Sequence, residues 1–178
     1  MTVGRGVCIW LTGLSGAGKS TIAEALAGAL REAGHTVAII DGDALRQGPS
    51  RGLGFSKQDR DANVLRAASL AREGVARGDM AVCALISPYR DTRDAVRRSL
   101  GAGNFIEVFV DAPIDVCEAR DPKGLYARYR RGEISGISGI DDPYEPPLTA
   151  ELVVDTASRT VAESVTMILT YLAVWPEG

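Results

Sequence analysis

Histidine is almost missing from this chain of 178 residues: His35 is the only one, and its place between a helix-like and a strand-like stretch marks it as a surface residue. Cysteine is scarce too. Cys8, Cys83 and Cys117 lack the close spacings that hold zinc, and two lie inside apolar runs, so all three read as small buried hydrophobes in a reducing compartment. Eighteen consecutive apolar residues occur nowhere, and only Arg5 precedes a first apolar run that stops at Thr12. Neither a membrane span nor a secretory signal is expected, and the cytoplasm is the expected compartment. A large charge of one sign is also lacking. The net charge of −3 gives no global field for nucleic acid or an anionic membrane, so neither is an expected partner. Repeats, low-complexity tracts and linkers are absent, and the length suits a single domain, 1–178, able to bury roughly 70% of its unfolded surface.

Glycine is not scarce, and its placement is informative. Gly13-Leu14-Ser15-Gly16-Ala17-Gly18-Lys19-Ser20 meets the phosphate-loop pattern G-x-x-x-x-G-K-[ST] at each constrained position. Such a loop turns tightly and aims successive N–H groups at one anion. Lys19 then reaches the outer phosphates, Ser20 offers a hydroxyl to Mg²⁺, and a helix opening at Lys19 adds the positive end of its dipole. Nucleotide phosphates are therefore expected on Gly13, Ser15, Gly16, Ala17, Gly18, Lys19, Ser20 and Thr21. The flanks agree, with the strand-length run Val7–Leu11 before the loop and Ile22, Ala25, Leu26, Ala29 and Leu30 at helical spacing after it.

Strand-like and helix-like segments then alternate. Strands are expected at Thr36–Ile40, Met80–Ile86, Phe105–Val110 and Leu152–Asp155. Helices are expected from about Lys57 to Gly78, capped by Ser56, from Asp91 to Leu100, and over the apolar face Val161, Val165, Ile168, Leu169 and Leu172. Strands this apolar, alternating with helices, imply a five-stranded parallel sheet covered on both faces, an α/β phosphate-loop fold. Ligands of such sheets sit beyond the carboxyl ends of the strands, so Asp41 to Asp43, Ser87 and Asp111 are expected to share one crevice with the loop. Arg120, Lys123, Arg128, Arg130 and Arg131 crowd into twelve residues. Alone such a run reads as a solvated helix face; beside a phosphate site a mobile basic lid, about 120–147, is the better reading.

A phosphate loop leaves kinase, motor and switch open, and the acids help to choose. Phosphoryl transfer needs an in-line acceptor, Mg²⁺ on the phosphates and often a carboxylate beside the acceptor hydroxyl. Asp41 and Asp43 divide that work, Asp41 toward metal-bound waters and Asp43 toward the acceptor. Asp111 also ends an apolar run, but no second acid or arginine follows it as Asp43 and Arg46 follow Asp41, and it reads as a turn residue.

The phosphate loop, Asp41-Gly42-Asp43, Leu53-Gly54-Phe55-Ser56 with Arg60 and Asn63, and Ile86-Ser87-Pro88-Tyr89-Arg90 occur together with Val110-Asp111-Ala112-Pro113, Asp121-Pro122-Lys123-Gly124-Leu125-Tyr126 and Gly139-Ile140-Asp141. Together they resemble the adenylyl-sulfate kinase family over roughly residues 7–156. That resemblance implies transfer of the γ-phosphoryl of ATP, with Mg²⁺, to the 3′-hydroxyl of adenylyl sulfate by a homodimer whose fold is that of the nucleoside monophosphate kinases. It implies Asp43 as the acid beside the acceptor hydroxyl, Arg46, Arg60 and Asn63 as a clamp on phosphosulfate and ribose, and Phe55 as a ring on the acceptor base. Ile86, Ser87 and Lys123 become further acceptor contacts. Ser87 matches a serine described as phosphorylated in some relatives, although no base in the sequence stands ready to activate it, which favours a binding role.

The chain departs from the family pattern at Ala44, Gln47 and Pro49, and Gly136-Ile137-Ser138-Gly139 stands where relatives carry a Phe that closes on the acceptor base. Ile137 and Ser138 are accordingly expected at the base. Two other readings follow: a 3′-hydroxyl kinase for another nucleotide, such as a pyrimidine conjugate, and a nucleotide-binding regulator without catalysis. Retention of Lys19, Ser20, Asp43, Arg46 and Arg60 argues against the last.

Overall fold

The computed structural model describes residues 6–175, apart from the Ala102 side chain. Five parallel strands form one sheet: β1 Val7–Thr12, β2 Val37–Asp41, β3 Met80–Ala84, β4 Phe105–Asp111 and β5 Leu152–Asp155, in the order β2-β3-β1-β4-β5. Helices α1 Lys19–Glu32, α2 Gly42–Gln47, α3 Lys57–Ala76, α4 Arg90–Leu100, α5 Ile114–Arg120, α6 Leu125–Arg130 and α7 Val161–Ala173 connect and cover them. The doubly covered parallel sheet expected from the alternation is the one present.

Alternate side chains of β1 supply the two cores. Ile9 and Leu11 join Ile22, Leu26 and Leu30 of α1 and Val165 and Ile168 of α7, whereas Cys8 and Trp10 join Val64, Ala67, Ala68 and Ala71 of α3 and Val96 and Leu100 of α4. Trp10 is fully buried, and the three small alanines of α3 leave room for its ring, so truncating it to alanine is expected to cost about 3–5 kcal/mol. All three cysteines are buried and free, as their apolar context indicated. No described helix is long and apolar enough to cross a membrane.

Three boundaries differ from expectation for local reasons. β3 ends at Ala84 rather than Ile86: Leu85 N makes a last bond to β1, donating to Leu11 O at 3.2 Å, and the chain then turns away to the positive φ of Ser87. β2 runs one residue further, through Asp41, and a short helix not expected from the sequence, α2, starts at once: Asp41 caps it, its Oδ1 accepting from the N–H groups of Asp43 at 2.9 Å and Ala44 at 3.2 Å. The basic segment is not one helix face either, since α5 stops at Arg120 and α6 restarts at Leu125, leaving Asp121 to Gly124 as a corner. Ser56 does cap α3, its hydroxyl accepting from Asp59 N at 3.1 Å.

Candidate functional site

The loop between β1 and α1 folds tightly because its glycines allow it. Gly16 has φ +79° and a Cβ there would lie 2.7 Å from the Cys117 carbonyl oxygen; Gly18 has φ +102° and hands the chain into α1. Lys19 Nζ lies over the loop and donates to Gly13 O at 2.9 Å and Leu14 O at 2.8 Å. Burial, and then the positive charge of Lys123, pull its ammonium down to about 8. Ser20 Oγ donates to Asp41 Oδ2 at 2.7 Å, so the hydroxyl of the loop and the strand-end acid stand together as the sequence suggested.

One cavity of about 710 Å³ joins this loop to the residues expected at the acceptor. Ser15, Gly16, Ala17, Gly18, Lys19, Ser20 and Thr21 line one side; Asp43, Arg46, Phe55, Arg60, Asn63, Ile86, Ser87 and Lys123 line the other. Gly13 lies behind that wall and contributes its carbonyl to Lys19. Asp43 stands at the start of α2, within contact of Lys123 Nζ. Phe55 is 65% exposed, with the Arg46 and Arg60 guanidiniums 4.8 and 5.6 Å from its ring centre. Burial, and then the neighbouring Arg60, lower the pKa of Arg46, which donates to Gly54 O at 2.8 Å. Arg60 is held from behind by Phe55 O at 3.0 Å, Gly136 O at 2.6 Å and the Asp142 carboxylate at 3.1 Å. Asn63 donates to Gly42 O at 3.3 Å, and its buried Oδ1 has no partner among the described residues, an acceptor left for a ligand donor.

Several sequence expectations need correcting. Ile137 and Ser138 do not line the cavity: Asp141 accepts from the N–H groups of Gly136 at 3.0 Å and Ile137 at 2.7 Å, and this turn rolls Ile137 into the core beside α1, at 8% exposure. Asp41 and Asp111 are off the wall as well, Asp41 bonded to Ser20 Oγ and to the start of α2, and the Asp111 carbonyl accepting from Thr156 N at 2.9 Å. The Ser87 hydroxyl accepts from Trp10 Nε1 at 3.1 Å and donates to Leu85 O at 3.4 Å, and among the described residues no base is bonded to it, so it is not arranged as a nucleophile. The basic segment divides: Arg120 and Lys123 line the cavity, whereas Arg128, Arg130 and Arg131 pair with Glu133 and Glu118 in solvent.

Some wall residues escaped the sequence reading. Thr156, Arg159, Thr160, Val161 and Ser164, from the end of β5 into α7, close the loop end of the cavity. Arg120 ties them to the loop, donating to Gly16 O at 3.3 Å, Thr156 Oγ1 at 3.1 Å and Thr156 O at 2.5 Å. The rule that ligands sit beyond strand ends, applied to β5 as it was to β2, points at Thr156. Tyr126 of α6 is buried and donates to Ser15 O at 2.7 Å, anchoring the basic segment to the loop.

Comparison with known proteins agrees with this geometry. The profile of the family described as adenylylsulphate kinase matches residues 5–155. The adenylyl-sulfate kinase of Rippkaea orientalis is 54% identical over 92% of this chain and 90% of its own length. That of Paraburkholderia xenovorans is 51% identical over 97% of this chain and 96% of its own. A solved structure of the Mycobacterium tuberculosis APS kinase CysC, in complex with AMPPNP and APS, superimposes with a TM-score of 0.90 at 39% identity, covering 96% of this chain and 99% of that one. With its phosphate loop and its acceptor residues on one cavity, and with relatives this close along nearly its whole length, the chain belongs to the adenylyl-sulfate kinase family.

Proposed function

We propose that this protein transfers the γ-phosphoryl group of ATP to the 3′-hydroxyl of adenylyl sulfate, giving 3′-phosphoadenylyl sulfate and ADP. The observation that carries the reading is the continuity of the cavity from Lys19 and Ser20 to Asp43, Arg46, Phe55 and Arg60. The loop N–H groups and Lys19 hold the donor phosphates, Asp43 takes the proton of the acceptor hydroxyl, and the guanidiniums of Arg46 and Arg60 face the acceptor's phosphosulfate. Phe55 offers its exposed ring to the acceptor base. Lys123, beside Asp43, adds positive charge where the transferred group passes.

The residues present suit Mg²⁺. Ser20 Oγ and Asp41 Oδ2 form an oxygen pair at the loop, the hard-donor chemistry that Mg²⁺ takes alongside phosphates and water. Ser20 would ligate the ion and Asp41 would act through water, and the chemistry it would supply is neutralisation of the donor phosphates.

Ala44, Gln47 and Pro49 are exposed and, like Ile137, stand off the cavity wall, so the departures that pointed to another acceptor do not reshape the pocket. A single kinase domain, 1–178, in the cytoplasm and paired as a homodimer completes the reading; light scattering tests the pairing. The deciding assay is ATP with a panel of nucleotide acceptors, read by product mass. Phosphorylated adenylyl sulfate is the expected product. A preference for a pyrimidine conjugate, or ADP release without any phosphorylated acceptor, would overturn it.

A further inference from the structure

Ser87 is 2% exposed and holds φ at +41°, a left-handed angle that is strained for a residue with a Cβ and persists only where the surroundings over-determine it. The groups that do so are not on the cavity wall. Arg93 Nη1, on α4, donates to the Ser87 carbonyl at 2.6 Å; Trp10 Nε1 donates to its hydroxyl at 3.1 Å; Thr12 Oγ1 donates to the preceding carbonyl, Ile86 O, at 2.7 Å. Arg93 is itself only 2% exposed, and its other nitrogens are committed, Nε to Glu107 Oε1 at 2.8 Å and Nη2 to Glu145 O at 2.6 Å. The Tyr144 hydroxyl stands 3.0 Å from Thr12 Oγ1 and, since the threonine proton goes to Ile86, it donates there; burial pushes it up to about 12, so it keeps that proton. Glu145 N donates to Pro88 O, and Arg90 N donates to Glu145 Oε2, both at 2.8 Å.

A buried arginine and glutamate are poorly explained by stability alone, because apolar residues of the same volume commonly serve a fold as well or better. The planar fork has another use. It spans three partners at fixed angles, which a single ammonium cannot reproduce. We infer that Arg93 is a positioning residue for the acceptor: clamped by Glu107 and the Glu145 carbonyl, its guanidinium holds the Ser87 carbonyl and thereby sets where Ile86, Ser87 and Pro88 stand on the cavity wall. The inference rests on the reading of that wall as facing the acceptor. Arg93 touches no substrate, and it acts only through the backbone of residue 87.

Arg93→Lys keeps a charge for Glu107 and removes the fork. It is expected to raise the KM for adenylyl sulfate about tenfold, about 1.4 kcal/mol, with the KM for ATP within about twofold of wild type. In a Trp175→Phe background Trp10 is the remaining tryptophan of the two, and its emission, which senses the Ser87 hydroxyl, shifts when Arg93→Lys is added. Glu107→Gln keeps an oxygen for Arg93 Nε but removes the charge that clamps it, so it gives the same split at about two- to threefold and decides the matter if Arg93→Lys does not fold. Both KM values rising together, or an unchanged Trp10 spectrum, would overturn the inference. A wild type that leaves adenylyl sulfate unphosphorylated brings down the acceptor reading instead, while the Trp10 spectrum of Arg93→Lys still decides whether that arginine holds Ser87.

Discussion

The two ends of the cavity are built on different principles. At the phosphate loop, consecutive residues 13–20 make the site from their own backbone, and a purely local motif defines it. At the acceptor end, Asp43, Arg46, Phe55, Arg60, Ser87 and Lys123 come from α2, the loop after it, α3, the β3–α4 turn and the α5–α6 corner. The first site tolerates little and is specified by few residues; the second depends on how separate elements are held against one another, which is why the support behind Ser87 and Arg60 matters as much as the wall itself.

Breaking the acceptor end at its chemistry gives the largest expected effect. Asp43→Asn keeps the shape and loses the base, so kcat falls by about 10²–10⁴-fold with donor affinity intact; a kcat within a few-fold of wild type would remove Asp43 from the mechanism. The loop end is tested by pH. Its ammonium form binds phosphates, so with Lys19 lowered to about 8 ATP affinity should weaken toward about tenfold per unit above that pH, with proton uptake on binding visible by calorimetry in buffers of different ionisation enthalpy. Stability moves the opposite way. A lysine whose folded pKa lies below its unfolded 10.5 gives a folded state with fewer protons between the two values, so stability rises with pH from about 8 to 10.5. An ATP affinity that is flat across this range would sever Lys19 from the phosphates.

Smaller changes sharpen the division within the basic segment. Lys123→Ala should lower kcat about tenfold with little change in Tm, because its partner Asp43 is half-exposed and such pairs contribute about 0–1 kcal/mol. Arg130→Ala, whose partner is Glu118, should leave kinetics unchanged; equal losses in the two variants would restore a uniform lid. Ile137→Phe adds volume to a filled core, so it should lower stability by about 1–3 kcal/mol and leave the KM for adenylyl sulfate within about twofold. Tighter acceptor binding in that variant would put residue 137 back at the base.

What could be read in advance follows the same division. The strands, their alternation with helices and the loop were legible because apolar runs and glycine spacing are local signals. Ile137 was misplaced because a sequence match assigns a position but not a direction: the Asp141 carboxylate, four residues on, turns that side chain inward. Arg120 was placed in a lid, yet it is a fastener between the loop and Thr156, a partner thirty-six residues away that no local pattern announces. Arg93 drew no notice at all, since an arginine in a helix reads as surface until Glu107, on the next strand, is seen beside it.

Asp41 has a consequence for tolerance in the engineering sense. One of its oxygens accepts from Ser20 and the other accepts from the first N–H groups of α2, the helix on which Asp43 sits. One carboxylate and the hydrogen bonds on its two oxygens thus couple the phosphate loop to the start of the helix that carries Asp43. Loss of the Asp41 carboxylate would therefore disturb the loop hydroxyl and the cap of α2 together.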